Sequence, residues 1–246
     1  MLKIAIPNKG ALAEGTVALI NAAGYKCKPS GRELAIRDVA NNVEFFLIRP
    51  RDIAVYVANG VIDLGVTGRD LTTEQSAHVD ELLPLGFGGS RFFYALPKEK
   101  NITPNEFDNF RIATSYPAIV RQDMERRGKK VSIVKLDGAV EISIRLGVAD
   151  AIADVVESGR TLEEAGLKTV GDPILVSEAI LVARTGNSAL PSEAVQFISR
   201  IKGILHAREY ALVEYDIPNS ALDKADRKST RLNSSHGMSS RMPSSA

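Results

Sequence analysis

The chain has 246 residues, 44% hydrophobic and 25% charged, with a formal net charge of +1. That balance describes a globular protein with room for one large core or two smaller ones, and it leaves no electrostatic footprint for a nucleic-acid partner. The single cysteine, Cys27, excludes a disulfide framework and fits a reducing compartment, and no apolar run approaches the roughly 20 residues that cross a bilayer.

Short apolar runs alternate with helical periods as far as about Ala225, the pattern of an α/β fold. Met1 to Pro7 is too short and too soon interrupted for a signal peptide and reads as a first strand, so the expected location is cytoplasmic. Strands are expected at Lys3–Ile6, Glu33–Ile36, Glu44–Leu47, Leu64–Thr67, Phe92–Leu96, Arg111–Thr114, Val131–Lys135, Ala151–Val155 and Ala179–Ala183. Helices are expected at Ala11–Ala23, Arg51–Asn59, Arg69–Glu74, Tyr116–Arg127, Val140–Leu146, Leu162–Ala165 and Ser192–Glu209. Glycine turns at Gly86–Arg91 and a second crossing near Pro173–Ala179 divide the chain into two lobes. Residues 1–88 plus 179–215 form the first, discontinuous lobe; residues 89–178 form the second, as an insertion. Two crossings make a hinge pair, and ligands prefer the cleft between such lobes.

Several motifs fall at strand ends. Pro7-Asn8-Lys9-Gly10 follows the first strand, at the carboxyl end where α/β folds bind ligands. Gly10 lets the backbone approach a ligand and Lys9 brings a point charge suited to phosphate, although an N-cap turn with Lys9 solvated explains the run equally well. Arg32 lies in a glycine-flanked loop. Arg49 closes a buried strand, so it should point into the cleft or pair with a carboxylate. A guanidinium suits pyrophosphate, and a salt bridge from Arg49 or Arg51 to Asp52 is the alternative. Asp63–Asp70 reads as strand, glycine turn and charged helix start. Ala113–Pro117 ends a strand in hydroxyls beside Tyr116, a ring suited to stacking on a base or to stapling a helix.

The richest stretch runs from Leu136 to Leu162. An apolar strand carries Asp154, then turns through Ser158-Gly159-Arg160-Thr161 into a helix. Free amides, two hydroxyls and a positive charge make an anion cradle, and a carboxylate four residues upstream can accept hydrogen bonds from two ribose hydroxyls. A helix merely capped by Ser158 is the alternative. The second glycine-and-acid loop, Asp137–Glu141, favours a grip on ribose 5-phosphate.

With these residues assembled, the chain resembles the ATP phosphoribosyltransferase family, which catalyses the first step of histidine biosynthesis. The likeness is to its long, histidine-regulated form, in the branch typical of actinobacteria. It is carried by Ile6–Gly10, Asn41–Phe46, Arg49–Val57, Leu64–Asp70, Ile112–Pro117 and Leu136–Leu162, across residues 1–225. The resemblance implies a two-lobed α/β fold of the type II periplasmic-binding-protein kind, with the active site in the cleft. It implies transfer of phosphoribose from 5-phosphoribosyl 1-pyrophosphate (PRPP) to N1 of ATP, with release of pyrophosphate and Mg²⁺ as cofactor. Lys9, Arg32 and Arg49 would be catalytic, holding pyrophosphate. Asp137, Glu141, Asp154, Ser158, Gly159, Arg160 and Thr161 would bind PRPP, and Gly10, Asp70 and Tyr116 would face ATP. A homo-oligomer is expected, a dimer or, for the full-length family, a hexamer, with no nucleic acid or membrane as partner. Two other readings stay open: a phosphoribosyltransferase with another acceptor, and a non-catalytic two-lobe ligand-binding module.

The resemblance stops before the small C-terminal domain that binds histidine in long-form members. Residues 216–225 would begin the linker to it. From Asp226 the composition turns abruptly to Ser, Arg, Asn and Lys. The run reads as the translation of a common sequencing adaptor, so residues 226–246 are expected to be non-native; genuine tail codons on resequencing the locus would contradict this.

Overall fold

The computed structural model describes residues 1–210 apart from 30, 32, 157, 158 and 187–189. The N-terminal apolar run becomes the centre of a six-stranded sheet. Its strands are β1 (Leu2–Pro7), β2 (Ala35–Asp38), β3 (Val43–Ile48), β4 (Leu64–Gly68), β5 (Val79–Pro84) and β11 (Ala179–Arg184), in the order β2-β3-β1-β4-β11-β5. β1 runs parallel to β3 and β4, with Ile4 opposite both Phe45 and Leu64. Such central strands are covered on both faces, which is why they read as continuous apolar runs. On one face Ile4, Phe45 and Leu64 pack with Leu19 and Ile20 of α1 (Ala11–Ala22) and Phe197 and Ile201 of α7 (Ser192–Arg208). On the other, Ala5, Ile180 and Val182 pack against Ile53 and Val57 of α2 (Pro50–Ala58).

A second, five-stranded sheet holds β6 (Ser90–Pro97), β7 (Arg111–Thr114), β8 (Ser132–Lys135), β9 (Ala151–Val156) and β10 (Leu167–Ser177), in the order β10-β6-β9-β7-β8. The two-residue period of β6 divides its side chains between two cores. Phe92, Tyr94 and Leu96 meet Phe107, Ile119 and Met124 on one face, while Ala95 joins Ala113, Ile152 and Leu162 on the other. The remaining helices are α3 (Arg69–Gln75), α4 (Pro117–Arg126), α5 (Ile142–Arg145) and α6 (Arg160–Glu164). Helices α2 and α4 both begin on proline, whose fixed φ and missing N–H suit a first helical position.

The chain passes from the first sheet to the second between Pro84 and Ser90 and returns at Glu178. Both sheets belong to one compact unit, Met1–Arg208; the remainder, Glu209–Ala246, lies almost wholly outside the described residues, as do the expected linker and tail. No described helix is long and apolar enough to cross a membrane.

Two strands arise where none was expected, β5 and β10, and both lie at sheet edges. β5 contains Asp80 and Glu81 and ends on Pro84, a composition that an edge accepts and a central strand does not. β10 contains Gly171 and Pro173, and its register against β6 shifts between Val170 and Leu175, so the proline sits where the ladder is already broken. Pro173, expected at the second crossing, therefore lies inside a strand.

Gly65 fixes the approach of α2 to β4. A Cβ there would lie 2.6 Å from Ile53 Cγ2 and 2.9 Å from Val57 Cγ2. Gly65→Ala is expected to destabilise the fold by about 1–3 kcal/mol, the cost of overpacking a filled core. Urea unfolding would show this as a lower midpoint at unchanged slope; an unmoved midpoint would mean that α2 can shift freely.

Candidate functional site

The parallel strands of each sheet end on the same side, and the loops that follow them carry the predicted residues. In the first sheet, β1 leads to Lys9 and Gly10, β3 to Arg49, and β4 to Asp70. Gly10 is the N-cap of α1 at φ 79°, a left-handed conformation that favours glycine. Lys9 is exposed. Arg49 is the N-cap of α2, also exposed, and among the described residues neither it nor Arg51 forms a salt bridge with Asp52. Its exposure removes the desolvation cost that a buried strand end suggested, and it leaves the guanidinium open to a ligand. Arg32 lies outside the described residues.

In the second sheet, β7 leads to Tyr116, β8 to the Asp137–Glu141 loop, and β9 carries Asp154. Asp137 is exposed, Ala139 adopts φ 49°, and Glu141 is the half-buried N-cap of a shorter α5 than expected. Asp154 is half-buried, and its Oδ1 accepts the amide of Val155 at 2.8 Å. Burial raises its carboxyl pKa, the negative Glu141 raises it further, and the Val155 hydrogen bond opposes both. Gly159, at φ 77°, is the N-cap of α6, which begins at Arg160, earlier than expected; Arg160 and Thr161 are exposed. Ser158, and with it the reading of Ser158 as a cap, lies outside the described residues.

The two sets of loops meet. The Tyr116 hydroxyl donates to Asp70 Oδ2 at 2.9 Å, and Ser177 donates through Oγ to Asp70 Oδ1 at 2.7 Å. The Asp70 amide donates back to Ser177 Oγ at 3.0 Å. Burial first, then the Asp70 charge and hydrogen bond and the charge of Asp154, push the Tyr116 hydroxyl far above its ordinary pKa, so it stays a donor. Arg51 lies 5.6 Å from the centre of the Tyr116 ring and donates to the Ser115 carbonyl at 3.4 Å. The ring's edge-on contact with Phe92, at 5.2 Å between centroids, seats it in the second core. Tyr116 and Asp70, read separately as residues facing ATP, are thus partners of one another across the two sheets.

Several residues at this junction escaped sequence reasoning. Glu74, at the end of α3, accepts the amides of Ala118 and Ile119 at 2.9 and 3.1 Å. Arg69 is held by Glu81 at 2.7 Å and Glu178 at 3.3 Å, so its charge is neutralised inside the fold. Ser177, Glu74 and Glu178 look like ordinary polar residues in sequence, because their partners lie far along the chain.

Among the described residues, no group of three or more His, Cys, Asp or Glu side chains converges as a metal site. Asp154 and Glu141 nonetheless interact electrostatically, and their hard carboxylate oxygens suit Mg²⁺, which commonly takes one or two carboxylates and completes its shell with water and substrate phosphates.

Two sheets with a double crossing are the architecture of two-lobed ligand-binding proteins. The substrate-binding protein of an amino acid ABC transporter shares the fold at TM-score 0.54, with 15% identity, over 85% of this chain and 95% of that one. The family model HisG, ATP phosphoribosyltransferase, matches residues 49–203. An ATP phosphoribosyltransferase of Salinibacter ruber is 57% identical over 226 residues, 92% of this chain and 80% of the relative. One of Corynebacterium jeikeium is 51% identical over 224 residues, 91% of this chain and 79% of the relative. In the solved ATP phosphoribosyl transferase (HisG:HisZ) complex from Thermotoga maritima, a chain is 28% identical at TM-score 0.73, covering 84% of this chain and 100% of its own. The chain belongs to the ATP phosphoribosyltransferase family.

Proposed function

We propose that this chain condenses ATP with PRPP to N1-(5-phosphoribosyl)-ATP and pyrophosphate, the entry step of histidine biosynthesis, in the cleft where the two sets of strand ends meet. The observation that carries this reading is the Asp70–Tyr116 hydrogen bond, which joins a strand-end loop of one sheet to one of the other, with Asp154 and Arg51 near enough to act electrostatically on Tyr116. The cleft's lobes are residues 1–88 plus 179–215 and residues 89–178.

PRPP sits on the second lobe. Asp154 accepts hydrogen bonds from the ribose hydroxyls, with Asp137 and Glu141 beside it, and Ser158, Gly159, Arg160 and Thr161 take the 5-phosphate. Lys9, Arg32 and Arg49 face the pyrophosphate, while Gly10, Asp70 and Tyr116 border the ATP side. Adenine N1 already carries a lone pair, so no strong base is required to create the nucleophile. Rate comes from holding N1 in line with the anomeric carbon and from stabilising negative charge on the departing pyrophosphate as the C–O bond breaks. Bound Mg²⁺ would neutralise part of the pyrophosphate charge. The active form is a cytoplasmic homo-oligomer, a dimer or a hexamer.

Mass spectrometry of the product from ATP should show one added phosphoribosyl group, and 1-deaza-ATP, which lacks the attacking nitrogen, should be inert. Transfer to 1-deaza-ATP, or to another base in preference to ATP, would contradict N1 of ATP as the acceptor.

A further inference from the structure

Helix α4 has no side-chain cap of its own. Tyr116 occupies the N-cap position, and its side chain makes no capping hydrogen bond. The first amides of a helix lack intrahelical partners and attract negative charge. Here that charge arrives from the other sheet's layer: Glu74, half-buried in the last turn of α3, places one oxygen 2.9 Å from the Ala118 amide and 3.1 Å from the Ile119 amide. A local Ser or Asp at the cap would satisfy α4 and leave it indifferent to α3. A cap supplied by α3 satisfies α4 only when the two lobes sit at one angle.

The junction is also tied by the Asp70–Ser177 and Arg69–Glu178 contacts, and Glu74 is the tie that reaches the first amides of α4. A groove of about 460 Å³ lies against the junction, lined mainly by Thr72, Thr73, Ser76, Arg121, Gln122 and Glu125. The capped end of α4 is the same turn that presents Tyr116 to Asp70, and Arg51 grips the adjoining Ser115 carbonyl. Moving α4 away from α3 therefore carries Tyr116 away from Asp70 and separates the half of the cleft bearing Arg49 from the half bearing Asp154.

We infer that Glu74 is a positioning residue for phosphoribosyl transfer: its carboxylate, capping α4 from α3, sets the angle between the two lobes at which the two half-sites face one another. The transfer component rests on the function proposed above; the angular component does not. Losing the cap frees a population in which the half-sites are misaligned. A substrate held by one lobe still binds, while the step that needs both lobes slows.

The test measures distance and turnover separately in the full chain. Val39 is 83% exposed on the first lobe, and Lys130 is exposed beyond α4 on the second. Val39→Cys and Lys130→Cys accept spin labels, while Cys27 stays unlabelled because it is fully buried and burial lifts its thiol pKa to about 12. Pulsed EPR should give one narrow separation when Glu74 is present and a broadened or displaced one in Glu74→Ala. The same substitution should lower kcat at least tenfold and leave the PRPP dissociation constant within twofold. An unchanged distance distribution overturns the inference, as does a loss of PRPP binding as large as the loss of kcat. A distance change in a labelled parent that transfers nothing from PRPP would sustain the angular role and defeat the proposed reaction. If Glu74→Ala does not fold, Glu74→Gln replaces it: the amide keeps one acceptor oxygen but loses the charge, so a smaller broadening is expected, and an unchanged distribution again overturns the inference.

Discussion

Arg49→Ala is expected to lower kcat about 100- to 1,000-fold, the usual effect of removing one preorganised group from developing negative charge. PRPP affinity should fall by much less, because in the proposed binding mode the pyrophosphate is also held by other cations and the sugar phosphate has contacts of its own. The basis is geometric. Arg49 stands at the carboxyl end of β3, is exposed, and makes no ion pair among the described residues, so its guanidinium is not consumed by the fold as Arg69 is by Glu81 and Glu178. The proline that follows starts α2 and fixes the direction in which Arg49 leaves the strand. Steady-state kinetics beside direct PRPP titration separates the two effects. Equal losses in both would make Arg49 a binding residue with no particular bond to the transition state.

Asp154→Asn should act in opposite directions on function and on stability. Charged hydrogen bonds contribute about 1.5–3 kcal/mol, so losing the proposed contact of the carboxylate with the ribose hydroxyls should weaken PRPP binding roughly 10- to 100-fold. The fold carries the opposite sign. Burial, reinforced by Glu141, raises the Asp154 carboxyl pKa above its unfolded value. Such a group contributes stability that is fully present below the unfolded carboxylate pKa and is lost as pH rises through the folded one. At neutral pH the charged Asp154 is therefore a cost to the fold, and the neutral, isosteric asparagine should raise the unfolding midpoint. In the unsubstituted protein, PRPP affinity should begin to fall during acidification at a pH above the ordinary Asp range. Calorimetric melting and PRPP titration at several pH values check both arms. A variant that melts lower and still binds PRPP normally would assign Asp154 to structure alone.

Such a trade shows why local features were readable in sequence and their connections were not. Strand β1 announces itself because its apolar residues are buried against neighbours on both sides, and Pro50 and Pro117 mark helix starts by a property of the ring itself. Gly10 and Gly159 likewise fall at helix N-caps with positive φ. These are short-range causes. β10 was hidden because Gly171 and Pro173 are tolerated only through a break in its register with β6, a fact about its partner strand. The Tyr116–Asp70 bond spans 46 residues and the Glu74–Ala118 bond 44, so no local pattern could pair them. The sequence leaves Tyr116 equally suited to stacking on a base or to stapling a helix, and neither use discloses the Phe92 contact of its ring or the Asp70 bond of its hydroxyl. Candidate residues are legible as local motifs; the hydrogen bonds that join the two sheets become visible only when tertiary structure supplies the partners.

Pyrophosphate release decides whether the proposed cleft joins PRPP to ATP. The protein is incubated with Mg²⁺, PRPP and ATP, and each component is then omitted in turn. Release that requires both substrates is the predicted result. Release from PRPP without ATP would indicate hydrolysis or another acceptor, and a folded protein that binds PRPP yet releases nothing with ATP present would contradict the proposed reaction.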